Sequence, residues 1–361
     1  MVRHGNQTIA DCTRLKLHDV PTGLPLDISG LDLSFNQISK IKNNTFESFS
    51  NLTTLKMDFN NIDTIDGYAF QSFKRLRWLS MRHNHINIFS KIFDIALKSL
   101  LDLQHLDIRY NINKTMDMSK PMVYPYFGNH SFLTDLYMDI VEYPVFYLSG
   151  FKTLSKLNTI KFEQCYLNQM SNDTLVDLPS SITSIYFYGC VDVLNNPSYA
   201  KEVYSKGCQI KPTATTEYKD YSPILEKGQM VDESKFQINL PVNLTFLRVS
   251  HYMTSYRQTG QKLLVANSSK LRYVDFSYWQ IKQFPEIYSD APFNVKYMDI
   301  SGLNASILIH ETSIPVFQNV QTAILKKCHA ESNNWKERQS FSTISSRRKT
   351  GYIIQQLMVS R

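Results

Sequence analysis

The sequence lacks any apolar run approaching the roughly 18 residues that a membrane-spanning helix needs. Residues Met1–Ala10 also lack the apolar core of a secretory signal peptide. Serine-hydrolase elbows, zinc-protease HExxH motifs and phosphate-binding loops are absent as well. We therefore expect no catalytic site, no metal and no cofactor, and we look for function on an extended surface.

Nearly all of the net positive charge lies in the C-terminal tail. The chain of 361 residues has 39 basic and 32 acidic side chains, a formal net charge of +7. Its last 36 residues hold eight basic and two acidic side chains, so residues 1–325 have a net charge of only +1. The body of the chain is close to neutral, and its charge gives no evidence for nucleic acid as a partner.

One pattern is written twice with identical offsets. It runs Asn36, Ile38, Ile41, Phe46, Phe49, Leu52 and then Asn60, Ile62, Ile65, Phe70, Phe73, Leu76, which is a period of 24. A unit of that length cannot bury its own apolar face, so neighbouring units must stack. In such arrays the exposed surface of the stack binds partners.

Each unit contains a Leu-x-x-Leu-x-Leu-x-x-Asn stretch, whose apolar positions point inward from a short strand. The Asn amide is expected to bond the backbone of adjacent coils, forming a ladder. We count about eleven units, which predict an α/β leucine-rich-repeat solenoid, a curved horseshoe with a parallel β-sheet on its concave face. The units begin at Ile28, Leu52, Leu76, Leu103, Leu133, Leu157, Ile182, Leu244, Leu271, Val295 and Val320.

The repeats divide the chain into five segments. Residues 1–27 are predicted to form a partial N-terminal cap, 28–190 repeats 1–7, 191–243 an irregular insert, 244–330 repeats 8–11, and 331–361 a disordered basic tail. The insert is either a surface excursion or a degenerate coil. A long loop of this kind could have a function, or it could be an insertion that the surface accommodates at little cost in stability.

Cysteines are few and widely separated. Cys165, Cys190 and Cys328 stand at the Asn position of three different units, without a Cys-x-x-Cys pair. A metal or redox cluster is one interpretation, but we favour buried thiols that replace Asn in the ladder. Cys12 and Cys208 are left for pairing or for free thiols.

Nine Asn-x-Ser/Thr sequons occur where chance would give roughly four, which suggests a secreted history. One is at Asn6, outside the repeats. The glycosylation candidates within the repeats and insert are Asn43, Asn51, Asn113, Asn129, Asn172, Asn243, Asn267 and Asn304.

The opening of the chain resembles the second half of an extracellular repeat cap, with Cys12, Val20-Pro21 and Leu24-Pro25 before the first repeat. With the long Asn/Ile/Phe repeats, the sequons and the interruption, it resembles the ectodomain of a Toll-like receptor, of an invertebrate type. That resemblance implies an innate-immunity receptor of the type I membrane class. It also implies a microbial or endogenous ligand, pairing as a homo- or heterodimer, and an extracellular location.

The same resemblance implies an incomplete receptor, because no membrane span, signalling domain or C-terminal cysteine cap follows the repeats. Two alternatives remain open at this stage. The chain could be a secreted or cell-adhesion leucine-rich-repeat protein, or an intracellular leucine-rich-repeat scaffold.

Outward-facing strand positions of successive units should form columns about 4.8 Å apart. Units 3 and 4 then bring together cations edged by aromatic rings, which could bind an anionic ligand, with the histidines strengthening it in acid. The alternative is a self-compensating surface, neutralised by Asp58, Asp107 and Asp139. The candidate ligand-binding residues are Arg77, Trp78, Arg82, His83, His105, Arg109 and Tyr110.

Overall fold

A computed structural model describes most of the repeat region and shows a β-solenoid with little helix. The described residues are 2–4, 7–111, 122–140, 144–145, 149–163, 175, 178–188, 235–250, 262–266, 269–278, 286–289, 294–302, 320–324 and 344–345. Among them, no helix is long and apolar enough to cross a membrane.

Short strands dominate the described part of the chain. In chain order they are β1 Val2–His4, β2 Gln7–Asp11, β3 Gly30–Asp32, β4 Lys40–Ile41, β5 Thr54–Lys56, β6 Thr64–Ile65, β7 Trp78–Ser80, β8 His105–Asp107, β9 Met122–Val123, β10 Asp135–Asp139, β11 Pro144–Val145, β12 Thr159–Glu163, β13 Ser184–Tyr188, β14 Lys235–Asn239, β15 Phe246–Ser250, β16 Lys262–Ala266, β17 Tyr273–Asp275, β18 Glu286–Ser289, β19 Tyr297–Asp299, β20 Thr322–Ile324 and β21 Ile344–Ser345. The helical segments are α1 Lys91–Leu97 and the 3-10 turns Phe127–Asn129 and Phe151–Thr153.

One sheet of 14 strands forms the spine of the solenoid, in the order β1-β2-β3-β5-β7-β8-β10-β12-β13-β15-β17-β19-β20-β21. All neighbours are parallel except the antiparallel pairs at the two ends. The predicted leucine-rich-repeat solenoid is therefore confirmed. Seven turns run without interruption from β3 to β13, and the parallel strands exceed the predicted units by one because β2 also joins.

The predicted inward positions form the core. Leu31, Leu55, Leu79 and Leu106 are at most 1% exposed, as is Ile160 further along. A three-residue strand cannot cover its own apolar side chains, so each coil is buried by the coils on either side. A second apolar layer of phenylalanines backs the sheet: the Phe46 and Phe73 ring centroids lie 5.1 Å apart, and those of Phe127 and Phe151 lie 5.3 Å apart.

The asparagine ladder joins consecutive coils at their turns. The Asn60 side-chain amide donates to the carbonyls of Leu33 in the preceding coil and Met57 in its own, at 3.0 and 3.2 Å. Its side-chain oxygen accepts from the Ile38 amide at 3.1 Å. Asn36, Asn84 and Asn111 repeat this arrangement with their own neighbours.

At the start of the ladder, the Asn36 amide donates to the carbonyl of Cys12, at 2.8 Å. Cys12 itself is buried as a free thiol. Cys165, Cys190, Cys208 and Cys328 lie outside the described residues, so the interpretation of ladder thiols stays a prediction.

The predicted insert leaves the sheet continuous. Strand β13 pairs directly with β15, with Ser184 opposite Phe246, and no other strand lies between them. Strand β14, from the end of the insert, instead joins β16 and β18 in a separate three-stranded parallel sheet. No strand of the described residues therefore separates β13 from β15 in this sheet. The boundaries of the insert at 191 and 243, and its nature, stay predictions.

We expect Asn60→Ala to lower the free energy of unfolding by about 1–3 kcal/mol, because the buried Ile38 N–H loses its acceptor. The Leu33 and Met57 carbonyls each lose one donor but keep another, from a neighbouring ladder asparagine. The adjacent Asn61 is exposed and is the matched control. Asn61→Ala should change stability by less than about 0.5 kcal/mol. Urea unfolding followed by circular dichroism measures both, and similar losses for the two variants would contradict a ladder that carries stability.

A candidate ligand-binding face on the parallel sheet

The side chains that alternate with the core residues form an open surface, here called the sheet face. Because strands pair in exact register across the coils, equivalent positions become neighbours. Trp78 on β7 lies opposite His105 on β8, and their rings stack at 3.5 Å with an interplanar angle of 11°. These two candidate residues therefore lie side by side on adjacent coils.

An aromatic ribbon borders the sheet face where the strands end. It consists of Phe35, Phe59, His83 and Tyr110, whose ring centroids are stacked at 4.6, 4.2 and 4.1 Å in succession. All four residues have left-handed backbone conformations, with φ between 54° and 60°. That conformation costs a side-chain-bearing residue about 1–2 kcal/mol. Gly302 adopts it without that cost at the equivalent position of a later unit.

Arg109 is enclosed by carboxylates. Its Nη2 lies 2.7 Å from Asp107 Oδ2 and its Nη1 lies 2.6 Å from Glu163 Oε1, and only 13% of the side chain is exposed. The Tyr110 hydroxyl donates to the other oxygen of Glu163 at 2.8 Å. Arg109 is thus neutralised as the self-compensating alternative requires, although the second carboxylate is Glu163 and not Asp139.

Asp139 has a different role from the one expected. It is fully buried, and its Oδ2 accepts from the backbone N–H of Asn111 at 3.1 Å, whereas its Oδ1 has no hydrogen-bond partner. Burial raises the pKa of the Asp139 carboxyl well above its usual range. The residue accepts a hydrogen bond in the turn, and its burial disfavours the charged form.

The remaining predicted cations are more open. Arg82 bonds Asp58 through Nε–Oδ2 at 3.2 Å, yet 39% of its side chain is exposed. Arg77 is exposed at the start of β7, and its backbone carbonyl accepts the His105 amide at 2.9 Å. The structure therefore gathers the seven predicted residues on adjacent coils but leaves only Arg77 and part of Arg82 open for an anion. Ligand binding by this group stays a prediction.

Both histidines of the candidate site have lowered pKa values. Burial lowers the pKa of His105 to about 4. Burial, followed by the charges of Arg82 and Arg109, also lowers the pKa of His83. Both shifts oppose protonation of these imidazoles as the pH falls. Stronger anion binding in acid stays a prediction.

Sequence reasoning missed a second group in the middle of the sheet face. The fifth position of units 5 to 8 holds a row of alternating rings and cations, here called the tyrosine–cation row: Tyr137, Lys161, Tyr186 and Arg248. The Lys161 Nζ lies 4.4 Å from the Tyr137 ring centroid and 4.9 Å from that of Tyr186. Treating the fifth position of each unit as a further outward column would have found this row.

Aromatic rings continue from this row toward the later coils. Phe246 stands at the third position of unit 8, 4.8 Å from Tyr186 and 4.5 Å from Tyr273 of unit 9 between ring centroids. Arg248 bonds Asp275 through Nε–Oδ2 at 2.5 Å. The sheet face therefore combines stacked rings with mostly paired charges over many coils.

Sequons in the described residues lie off the sheet face. Asn43, Asn51 and Asn129 are exposed, and Asn243 is half-buried with its amide donating to the Ser180 carbonyl at 2.8 Å. Asn113, Asn172, Asn267 and Asn304 lie outside the described residues, and glycosylation at any of the eight stays a prediction. Within the described ranges, no cluster of His, Cys, Asp or Glu could hold a metal ion.

Comparisons with known proteins agree with the repeat architecture. A family model described as "Leucine rich repeat" matches residues 28–86. Toll-like receptor 3 of Bos taurus is 43% identical over 54 residues, which is 15% of this chain and 6% of that protein. These matches agree with the leucine-rich-repeat solenoid, and the family match itself is confined to residues 28–86. The short match establishes neither Toll-like receptor identity nor an invertebrate origin.

A solved structure also aligns with this fold. The crystal structure of human 5T4 (Wnt-activated inhibitory factor 1, trophoblast glycoprotein) covers 75% of this chain and 77% of its own, at a TM-score of 0.41 and 14% identity.

We expect Arg109→Met to destabilise the fold by about 3–5 kcal/mol, because Asp107 and Glu163 would remain mostly buried without their cation. Arg82→Met is the matched control on the same column and should cost less than about 1 kcal/mol, since that pair is partly solvated. Urea unfolding of both variants tests this, and equal losses would show that the buried network does not hold the fold.

His105 should make the fold acid-sensitive. Because the folded-state pKa is depressed to about 4, protons bind the unfolded chain first as the pH falls below its ordinary value of 6.5. Stability is full above pH 6.5 and is lost as the pH falls toward 4. His105→Phe keeps a ring against Trp78, so this variant should lose roughly 2–3 kcal/mol less than the wild type between pH 7 and 4.

Unfolding free energies at several pH values measure the difference, with His85→Phe as the control at an exposed imidazole. That control should follow the wild-type pH dependence. A His105→Phe profile parallel to the wild type would show that this imidazole is not the source of the sensitivity.

Proposed function

We propose that the chain is the ligand-recognition region of an extracellular receptor of the Toll-like type, which binds and dimerises and does not catalyse. The observation that carries the proposal is the set of large aromatic side chains exposed on the sheet face and its border. Trp78 and Phe35 are each 41% exposed and Tyr297 is 48% exposed. Exposed aromatic surface of this kind is typical of protein-binding sites, where rings supply most of the binding energy.

The partner in this proposal is a microbial or endogenous ligand held on the sheet face, with a second receptor chain completing a homo- or heterodimer. Solenoids bind in this way because their stacked coils present one long, rigid surface. The local identity with Toll-like receptor 3 favours this receptor type over other leucine-rich-repeat proteins. A role in innate immunity and in signalling across a membrane would follow from it.

An extracellular location is supported by the exposed sequons. Asn43, Asn51 and Asn129 all offer accessible side chains away from the sheet face, so glycans there would leave the binding surface open. A secreted or cell-adhesion protein with leucine-rich repeats would be decorated in the same way. It differs from the proposed receptor in lacking a ligand-driven signal.

The intracellular scaffold is favoured by one observation, the free thiol of Cys12. Reduced cysteines are ordinary in the cytosol and less common in secreted proteins. The two locations predict different glycosylation of the sequons, because only a chain that enters the secretory pathway receives N-linked glycans.

The first test is glycan occupancy in the native source. Peptide mass spectrometry of the chain should show modified Asn43 or Asn51 if the protein is extracellular. Unmodified asparagine at every sequon that can be read would overturn the extracellular assignment and favour the scaffold.

The second test is a chimeric receptor in reporter cells, with the full chain joined to the membrane and signalling segments of a Toll-like receptor. Microbial and tissue extracts should activate the reporter. Trp78→Glu should reduce the response at least about tenfold by placing a charge in the binding surface. Tyr68→Glu changes a ring that is 62% exposed on another surface and should leave the response unchanged. No response to any extract, or equal responses of the two variants, would overturn the proposed function.

A further inference from the structure

Lys161 is an ammonium without a bonded counterion in the middle of the sheet face. Its neighbours Arg109 and Arg248 are each held by a carboxylate, at 2.7 and 2.5 Å respectively. Lys161 has no salt bridge to any described carboxylate, and Asp107, Glu163 and Asp135 act on it only through longer-range charge. Strand pairing fixes its place, because Lys161 lies in register between Tyr137 and Tyr186.

Two tyrosine rings shield this ammonium from water on either side. The centroid distances of 4.4 and 4.9 Å place Nζ over both ring faces. Burial, with repulsion from Arg109, lowers the pKa of Lys161. A poorly solvated cation between aromatic faces loses little on binding an anion and gains a charge-assisted hydrogen bond.

The flanking phenols add further donors. Burial raises the pKa of Tyr137 to about 12, so this hydroxyl keeps its proton at neutral pH. Neither Tyr137 nor Tyr186 uses its hydroxyl in a hydrogen bond to the described residues. One ammonium between two phenol groups is a donor set that suits a single carboxylate, which accepts through two oxygens.

The surrounding charges limit the anion to one charged group. Asp135 and Asp275 lie on neighbouring coils, and Asp107 and Glu163 flank Arg109 beside the row. A polyanion such as a nucleic acid or a sulfated glycan would bring further negative charges against these carboxylates. The adjoining rings of Phe246 and Tyr273 offer apolar surface instead.

We propose that the tyrosine–cation row is the specificity site for an acidic side chain of a protein ligand, flanked in that ligand by apolar residues. Lys161 binds the carboxylate, Tyr137 and Tyr186 enclose it, and the Phe246–Tyr273 pair receives the neighbouring apolar side chains. This inference rests on the proposed function, since it identifies which chemistry the sheet face selects.

The test uses immobilised full-length chain and short blocked peptides that carry one central Glu between Phe and Leu residues. The matched peptide has Gln in place of Glu, so that only the charge differs. On the wild type we expect the Glu peptide to bind about tenfold more tightly than the Gln peptide, as measured by surface plasmon resonance. Lys161→Met keeps the length of the side chain and should bring that ratio to about one, whereas Lys161→Arg should preserve it.

The control variant is Lys56→Met, at the fifth position of unit 2. Lys56 lies in register between Asp32 and Ser80, without flanking rings, so its loss should leave the Glu preference unchanged. Thermal unfolding of each variant checks that the fold is intact. Heparin, sialyllactose and single-stranded DNA are tested in parallel as other anions.

Equal binding of Glu and Gln peptides to the wild type, or an unchanged preference in Lys161→Met, would overturn the carboxylate site. Heparin, DNA or sialyllactose binding that depends on Lys161 while the peptides do not discriminate would overturn it in favour of a glycan or nucleic acid. In either case a reporter response that depends on Trp78 would still support the proposed function, so the two failures are distinguishable.

Discussion

The whole molecule depends on one constraint: a single coil can neither bury its own apolar side chains nor pair its own backbone hydrogen-bonding groups. A strand of three to five residues exposes both its apolar side chains and its backbone edges, and neither is tolerable alone. Stacking meets both requirements at once. The next coil covers Leu55 or Leu79, and its strand pairs with the backbone N–H and C=O groups of the strand edge. The Asn ladder does the same at the turns, where no strand pairing is available.

The same stacking also determines which side chains are neighbours on the sheet face. Register that aligns inward leucines also aligns outward residues, so each outward position becomes a column whose composition sets the local character of the sheet face. Columns place residues far apart in sequence within bonding distance, as with Arg109 and Glu163, which are 54 positions apart. Binding chemistry in this fold is therefore encoded across several coils and not within one.

Ring stacking links the turn geometry to the sheet face. The position before the ladder Asn takes a left-handed conformation that favours glycine, yet Phe35, Phe59, His83 and Tyr110 occupy it. Stacking at about 4 Å offsets part of that cost, since aromatic pairs contribute about 0.5–1.5 kcal/mol beyond burial. The strained turns thus present a continuous ribbon of rings beside the charged columns.

The sequence by itself determined the solenoid, the inward residues, the Asn ladder in the first four units and the membership of each outward column, because all of these follow from a fixed repeat period. It did not determine which charges pair. That choice depended on distances between coils. Tertiary structure assigned Glu163 to Arg109, buried Asp139 away from the sheet face and left Lys161 between two rings. Periodicity specifies which residues are neighbours, but burial and the dielectric around them decide which remain charged and open to a ligand.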